Sequence, residues 1–96
     1  MTIQFHHNEL MVTGMLTQNT VTQALAESLA FMPKNNSLLV VNLSAVTHCD
    51  SASLAFLMSL VRVAKKNQIV LKFTHMPKQM RDLSLVSGID NFLPIA

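Results

Sequence analysis

The stretch from Ser37 to Phe73 constrains the fold more than any other part of the chain. It opens with Leu38, Leu39, Val40 and Val41, a run of consecutive apolar residues. A short apolar run without polar alternation predicts a strand buried on both faces, and so the central strand of a sheet. The stretch closes in "IVLKFTH", a second strand-type run. Between them the spacing predicts a helix from about Ser51 to Asn67. Ala55, Ser59, Arg62 and Lys66 share a stripe that should face water. Leu54, Leu57, Met58, Val61 and Ala64 lie opposite, against the sheet. Strand, helix, strand implies parallel pairing through a right-handed crossover. Phe56, Leu60 and Val63 widen the apolar arc beyond what one sheet face needs. That excess could pack on another helix or on a partner.

The remaining segments extend this unit. "TIQFHH" alternates Ile3 and Phe5 with polar residues, a strand period, and "ELMVTGMLT" reads as a second strand with Gly14 at a bulge or a close approach. Asn8 between them favours a tight hairpin. Thr20 and Gln23 form a capping-box pattern at the start of a helix whose apolar face is Val21, Ala24, Leu25, Leu29 and Met32. Pro33 and the Asn35-Asn36 pair end it. Pro77 starts a short helix with Met80 and Leu83 inward, and Gly88 stops it. The tail "IDNFLPIA" reads as a short edge strand or a docking segment. The expected fold is α/β: a small mixed sheet of four to five strands in the order β-β-α-β-α-β-α, with helices mainly on one face. Residues 1–96 are expected to form a single domain.

Composition excludes several function classes. Half the residues (50%) are hydrophobic and 12% are charged, which suggests apolar surface covered by a partner. No apolar run reaches the roughly 18 residues that span a bilayer, and the N-terminus does not read as a signal peptide. The lone Cys49 fits a reducing compartment, so a cytoplasmic location is expected. The basic residues Lys65, Lys66, Lys72, Lys78 and Arg81 form no dense run, and tryptophan and tyrosine are absent. Nucleic-acid binding is not expected.

The chemistry-bearing residues concentrate in "THCDSASLAFLMSL", residues 47–60. A Cys–His nucleophile would pair Cys49 with His48, His75, His6 or His7. His48 is adjacent in sequence and points to the opposite side of a strand, and no carboxylate or amide is placed to orient a histidine. His48, Cys49, Asp50 and His75 are ligand types without ligand spacing, and His6 and His7 should alternate faces of an edge strand. The acidic residues are scattered, and Gly14 and Gly88 build no phosphate loop. No catalytic residue, metal or cofactor is therefore assigned, and an enzyme is not expected. Asp50 and Ser51 are both good N-cap types. The helix they precede starts at the C-terminal end of a strand, where open α/β sheets place functional sites. A phosphate on Ser51 would meet free backbone N–H groups there, with Asp50 repelling it.

The segment "LLVVNLSAVTHCDSASLAFLMSLVRVAKKNQIVLKF" resembles the STAS domains, the fold of anti-sigma factor antagonists. The family pattern is an apolar strand, Asp-Leu-Ser, a short loop, Asp-Ser/Thr-x-Gly-Leu, a long helix, a basic residue and a strand. The matching positions are Asn42-Leu43-Ser44, Asp50-Ser51-Ala52-Ser53-Leu54 and Ala64-Lys65-Lys66-Asn67. "MPKQMRDLSLVSGIDNFLPI" is similar to the family's last helix and ending. Asn42 stands where the pattern has aspartate, and Ser53 where it has glycine. Within the family, "DSASLAFLMSLVRVAKK" is most similar to the MlaB-type subunits of the Mla phospholipid ABC transporter. The resemblance implies a non-enzymatic subunit that binds the transporter's cytoplasmic ATPase and serves outer-membrane lipid asymmetry. Its contact would use His48, Asp50, Ser51, Ala52, Ser53 and Leu54. The resemblance to the antagonists implies an alternative, an anti-sigma factor antagonist phosphorylated at Ser51 by an anti-sigma factor kinase.

Overall fold

The computed structural model describes residues 1–96. The chain begins with a hairpin, β1 (Thr2–His6) and β2 (Glu9–Leu16). His7 and Asn8 turn it with φ of 51° and 62°, the left-handed pair of a two-residue type I′ turn. His7 thus lies in the turn rather than on the strand. The expectation that His6 and His7 alternate faces fails, and their rings meet edge to face at 3.9 Å.

Helix α1 (Val21–Ala30) follows, then β3 (Leu38–Asn42), β4 (Val46–Cys49), α2 (Ala52–Lys66), β5 (Val70–Thr74) and α3 (Lys78–Val86). A 3₁₀ turn, Asp90–Phe92, precedes the C-terminal residues. The order is β-β-α-β-β-α-β-α, one strand more than the expected order. The added strand is β4, whose burial runs buried-exposed-exposed-buried from Val46 to Cys49. The bulge falls on β4 and not at Gly14: Val46 pairs Gly14 and His48 pairs Met15, so Thr47 is an extra residue and β4 lacks the two-residue period that marks a strand in sequence.

The five strands form one mixed sheet in which β1, β2, β3 and β5 are successive neighbours. β1 pairs antiparallel with β2, and β3 pairs parallel with both β2 and β5. β2 is long enough to serve two partners on one edge. Glu9, Leu10 and Met11 pair with β3, and Gly14, Met15 and Leu16 pair with β4. β3 and β4 are thus laid end to end along β2, joined by the turn Leu43-Ser44-Ala45.

The helices cover one face. α1 packs on β1 and β2, α2 packs on β5, and the two helices touch each other. Ile3, Leu10, Val12, Leu39, Val41, Leu71 and Phe73 point into this layer and are buried. Thr2, Gln4, Thr13 and Lys72 are exposed on the other face, together with Leu38 and Val70. β3 is central, but it is not buried on both faces as its unbroken apolar run implies. Leu39 and Val41 are core, while Leu38 stays 43% exposed.

Two details of the helices also differ. The capping box at Thr20 does not form. The Thr20 hydroxyl accepts from Thr17 N–H (2.9 Å) and donates to the Met15 carbonyl (2.9 Å), bracing the loop instead. Ala24 and Ser28 line the inner side of α1, and Leu29 faces solvent. On α2 the water-facing stripe is as expected, and Phe56 and Leu60 are fully internal. Phe56 and Leu60 of the widened apolar arc are therefore absorbed within the chain, and Val63 stays half-buried.

The buried serines are satisfied locally. Ser28, Ser53 and Ser84 donate to the carbonyls of Ala24 (2.7 Å), Asp50 (2.8 Å) and Arg81 (2.7 Å). α2 and α3 both end in Schellman turns. Gln68 N–H donates to Lys65 O and Ile69 N–H to Ala64 O, and the same pattern joins Gly88 to Leu85 and Ile89 to Ser84. The tail lies along the sheet edge through a single bridge, Ile95 pairing Phe73 in parallel.

Candidate functional site

The turn between β4 and α2 is built by Asp50. Its Oδ1 accepts from Ala52 N–H at 2.9 Å, which makes Asp50 the N-cap in function. Its Oδ2 accepts from Gln18 N–H at 3.0 Å, tying the turn to the loop that enters α1. The main chain adds two tight bonds, Ser53 N–H to Asp50 O (3.0 Å) and Leu54 N–H to Ser51 O (3.1 Å). Ser51 already has helical backbone angles, φ −62° and ψ −20°, and its hydroxyl caps nothing.

The consequence is a division of labour that the residue types alone leave open. Asp50 does the capping, so the Ser51 hydroxyl is exposed and unengaged. The expectation that a phosphate on Ser51 meets free first-turn N–H groups is not met. The N–H groups of Ala52, Ser53 and Leu54 already have acceptors. A phosphate there would sit beside the Asp50 carboxylate without those donors. Such a group would change the exposed surface of the turn rather than the order of the helix.

The other expected contact residues divide by accessibility. His48 is exposed on the open face of the sheet, with its Nδ1 3.2 Å from the Thr47 hydroxyl. Ala52 is half-buried, while Ser53 and Leu54 are buried and can shape the turn without touching a partner. Cys49 points inward, away from His48, and is 6% exposed. Burial pushes its thiol above the ordinary value of 9.0, the Ser53 hydroxyl lowers it, and the Asp50 charge raises it again. A thiol held protonated in this way is a packing residue, not a nucleophile. No group of three or more His, Cys, Asp or Glu side chains is gathered where a metal ion could be held.

Sequence reasoning missed the second half of this surface. Gln18 and Asn19 are exposed in the loop that Asp50 holds beside Ser51. The bond spans 32 positions, and nothing in the local pattern of either segment signals it.

Over residues 1–94 the chain matches the family model described as MlaB, STAS domain. The chain belongs to the MlaB-type STAS family. This family is generally non-catalytic, and its name implies an association with the Mla ABC transporter. A search of curated proteins returned no match.

The two departures from the STAS pattern have physical accounts. Asn42 Oδ1 accepts from Ser44 N–H at 2.9 Å, the Asx turn that an aspartate would also make. Its Nδ2 lies 3.4 Å from Glu9 Oε2, and only an amide can donate to that carboxylate. An aspartate beside Glu9 would set two negative charges together. Ser53, in place of glycine, hides its side chain by bonding the Asp50 carbonyl, so the turn keeps its shape without glycine.

Proposed function

We propose that this MlaB-type domain is a non-enzymatic subunit that binds the cytoplasmic ATPase of a Mla-type phospholipid ABC transporter, at the cytoplasmic side of the inner membrane. The carrying observation is the turn itself in a chain of this family: a rigid loop pair in which Ser51 is exposed and free of any capping duty. Asp50 pins Ser51 beside Gln18 and Asn19, which gives a partner a preorganised polar surface. No helix is long and apolar enough to cross a membrane, so an attachment would run through the partner.

The test is co-expression with the cognate ATPase and permease, read by co-elution and by ATPase rate. Wild type and Ser51→Ala should join the complex. Ser51→Asp should bind at least about tenfold more weakly, because a charge is forced into a desolvated contact beside Asp50. Equal binding by Ser51→Asp and wild type would remove the turn from the interface, and failure of wild type to co-elute would remove the transporter role. The exposed Ser51 hydroxyl also supports a second reading, an anti-sigma factor antagonist switched by phosphorylation. That reading requires a mass gain of one phosphate at Ser51 on incubation with an anti-sigma factor kinase.

A further inference from the structure

β5 is an open sheet edge at one residue. Val70 N–H donates to Ser37 O (2.9 Å), and Thr74 O accepts from Leu43 N–H (3.0 Å). Residues 70, 72 and 74 therefore turn their main-chain groups toward β3, and residues 71 and 73 turn theirs outward. Phe73 is satisfied by the C-terminal tail, donating to Pro94 O (2.9 Å) and accepting from Ala96 N–H (2.9 Å). Leu71 has no such partner. Its N–H and C=O face the open edge without a main-chain partner, while the residue as a whole is only 7% exposed.

A cleft of about 200 Å³ opens beside that edge. Val61, Ala64, Ile69, Leu71 and Phe92 make it apolar, Lys65 supplies a positive charge, and no acidic residue lines it. Phe92 is 63% exposed above it. The cleft lies at the last turns of α2, roughly 20 Å from Ser51 at 1.5 Å per residue. It is a different surface from the turn described above.

We infer that the β5 edge at Leu71 and this cleft form a strand-addition site for an extended, acidic segment of a partner protein. The segment's main chain would bond Leu71 N–H and C=O, and one bulky apolar side chain would fill the cleft. A carboxylate one or two residues away would face Lys65. A lipid tail would fill the cleft but leave the main-chain pair unsatisfied, so the geometry favours a peptide. The inference is independent of what binds at Ser51.

The experiment uses the full ¹⁵N-labelled chain and three probes: the blocked peptide Thr-Glu-Val-Leu-Val-Glu-Thr, its counterpart with lysines for glutamates, and sodium octanoate. In the free protein, Leu71 N–H should exchange at least about a hundredfold faster than those of Val70, Lys72 and Phe73. The acidic peptide should protect it, with shifts centred on Lys65, residues 69–73 and Phe92. The lysine peptide should bind about tenfold more weakly, and the exposed substitution Lys65→Glu should reverse that order. Leu71 protection equal to that of Phe73 in the free chain would overturn the inference. So would shifts elsewhere, no charge preference, no peptide binding, or octanoate saturating the cleft where the peptide does not.

Discussion

Replacing Asp50 with alanine removes two hydrogen bonds with one substitution, and the cost can be worked from the geometry. The bond to Ala52 N–H is an N-cap, worth about 1 kcal/mol. The bond to Gln18 N–H has a charged acceptor but lies at the surface, where solvent screens the charge, so the value of an ordinary hydrogen bond, about 1 kcal/mol, applies. Asp50→Ala should therefore destabilise the fold by about 2 kcal/mol. With a urea dependence of about 1 kcal/mol per molar, the midpoint falls by about 2 M. Asp50→Asn keeps one acceptor oxygen and should cost about half as much. Amide exchange gives the second readout: Gln18 and Ala52 should both lose protection in Asp50→Ala, although 34 positions separate them in sequence. The reasoning is refuted if Asp50→Ala stays within about 0.5 kcal/mol of wild type, the usual range for neutral surface changes. It is also refuted if the asparagine and alanine variants are equally unstable.

The Cys49 thiol is pushed above 9.0 in the folded state, so the native chain holds this proton more tightly than the unfolded one. Its stability contribution is complete below pH 9.0 and is lost as pH rises toward the folded value; urea titrations at pH 8 and 10 should show a drop that Cys49→Ala abolishes, and an unchanged drop in that variant would refute the burial argument. Gly14→Ala should cost more than Gly88→Ala, about 2 against about 1 kcal/mol, in chemical denaturation. Gly14 sits at φ +96° with Met1 Cα and N 3.3 Å from the site of a Cβ, whereas Gly88, at φ +72°, has open space; the reverse order would show that the close approach at Gly14 tolerates a side chain.

Within the β4–α2 turn, residue types and residue roles were legible to different degrees. Asp50 and Ser51 read as competing caps, and the sequence could not rank them because both oxygens suit the same N–H groups. The choice follows from Gln18, whose N–H draws the Asp50 carboxylate across the turn and leaves Ser51 outside it. His48 and Cys49 read as opposite-facing, and they are, because that follows from strand geometry alone. β4 itself stayed hidden because Thr47 is an extra residue against β2, which breaks the burial period of a four-residue strand.

The sequence by itself determined the hairpin, the parallel strand–helix–strand unit and the water-facing stripe of α2. Each depends on spacing along one segment: left-handed residues at a turn, an apolar run, a repeat of three to four. Only the tertiary structure decided where the apolar excess of α2 went, which face of β3 stayed open, and which residue caps the turn. Those outcomes depend on neighbours distant in the chain. Phe56 and Leu60 are core because the folded chain covers them, and Leu38 is exposed because no helix reaches its side of the sheet. Periodicity reports which residues avoid water, but burial is settled by what arrives to cover them.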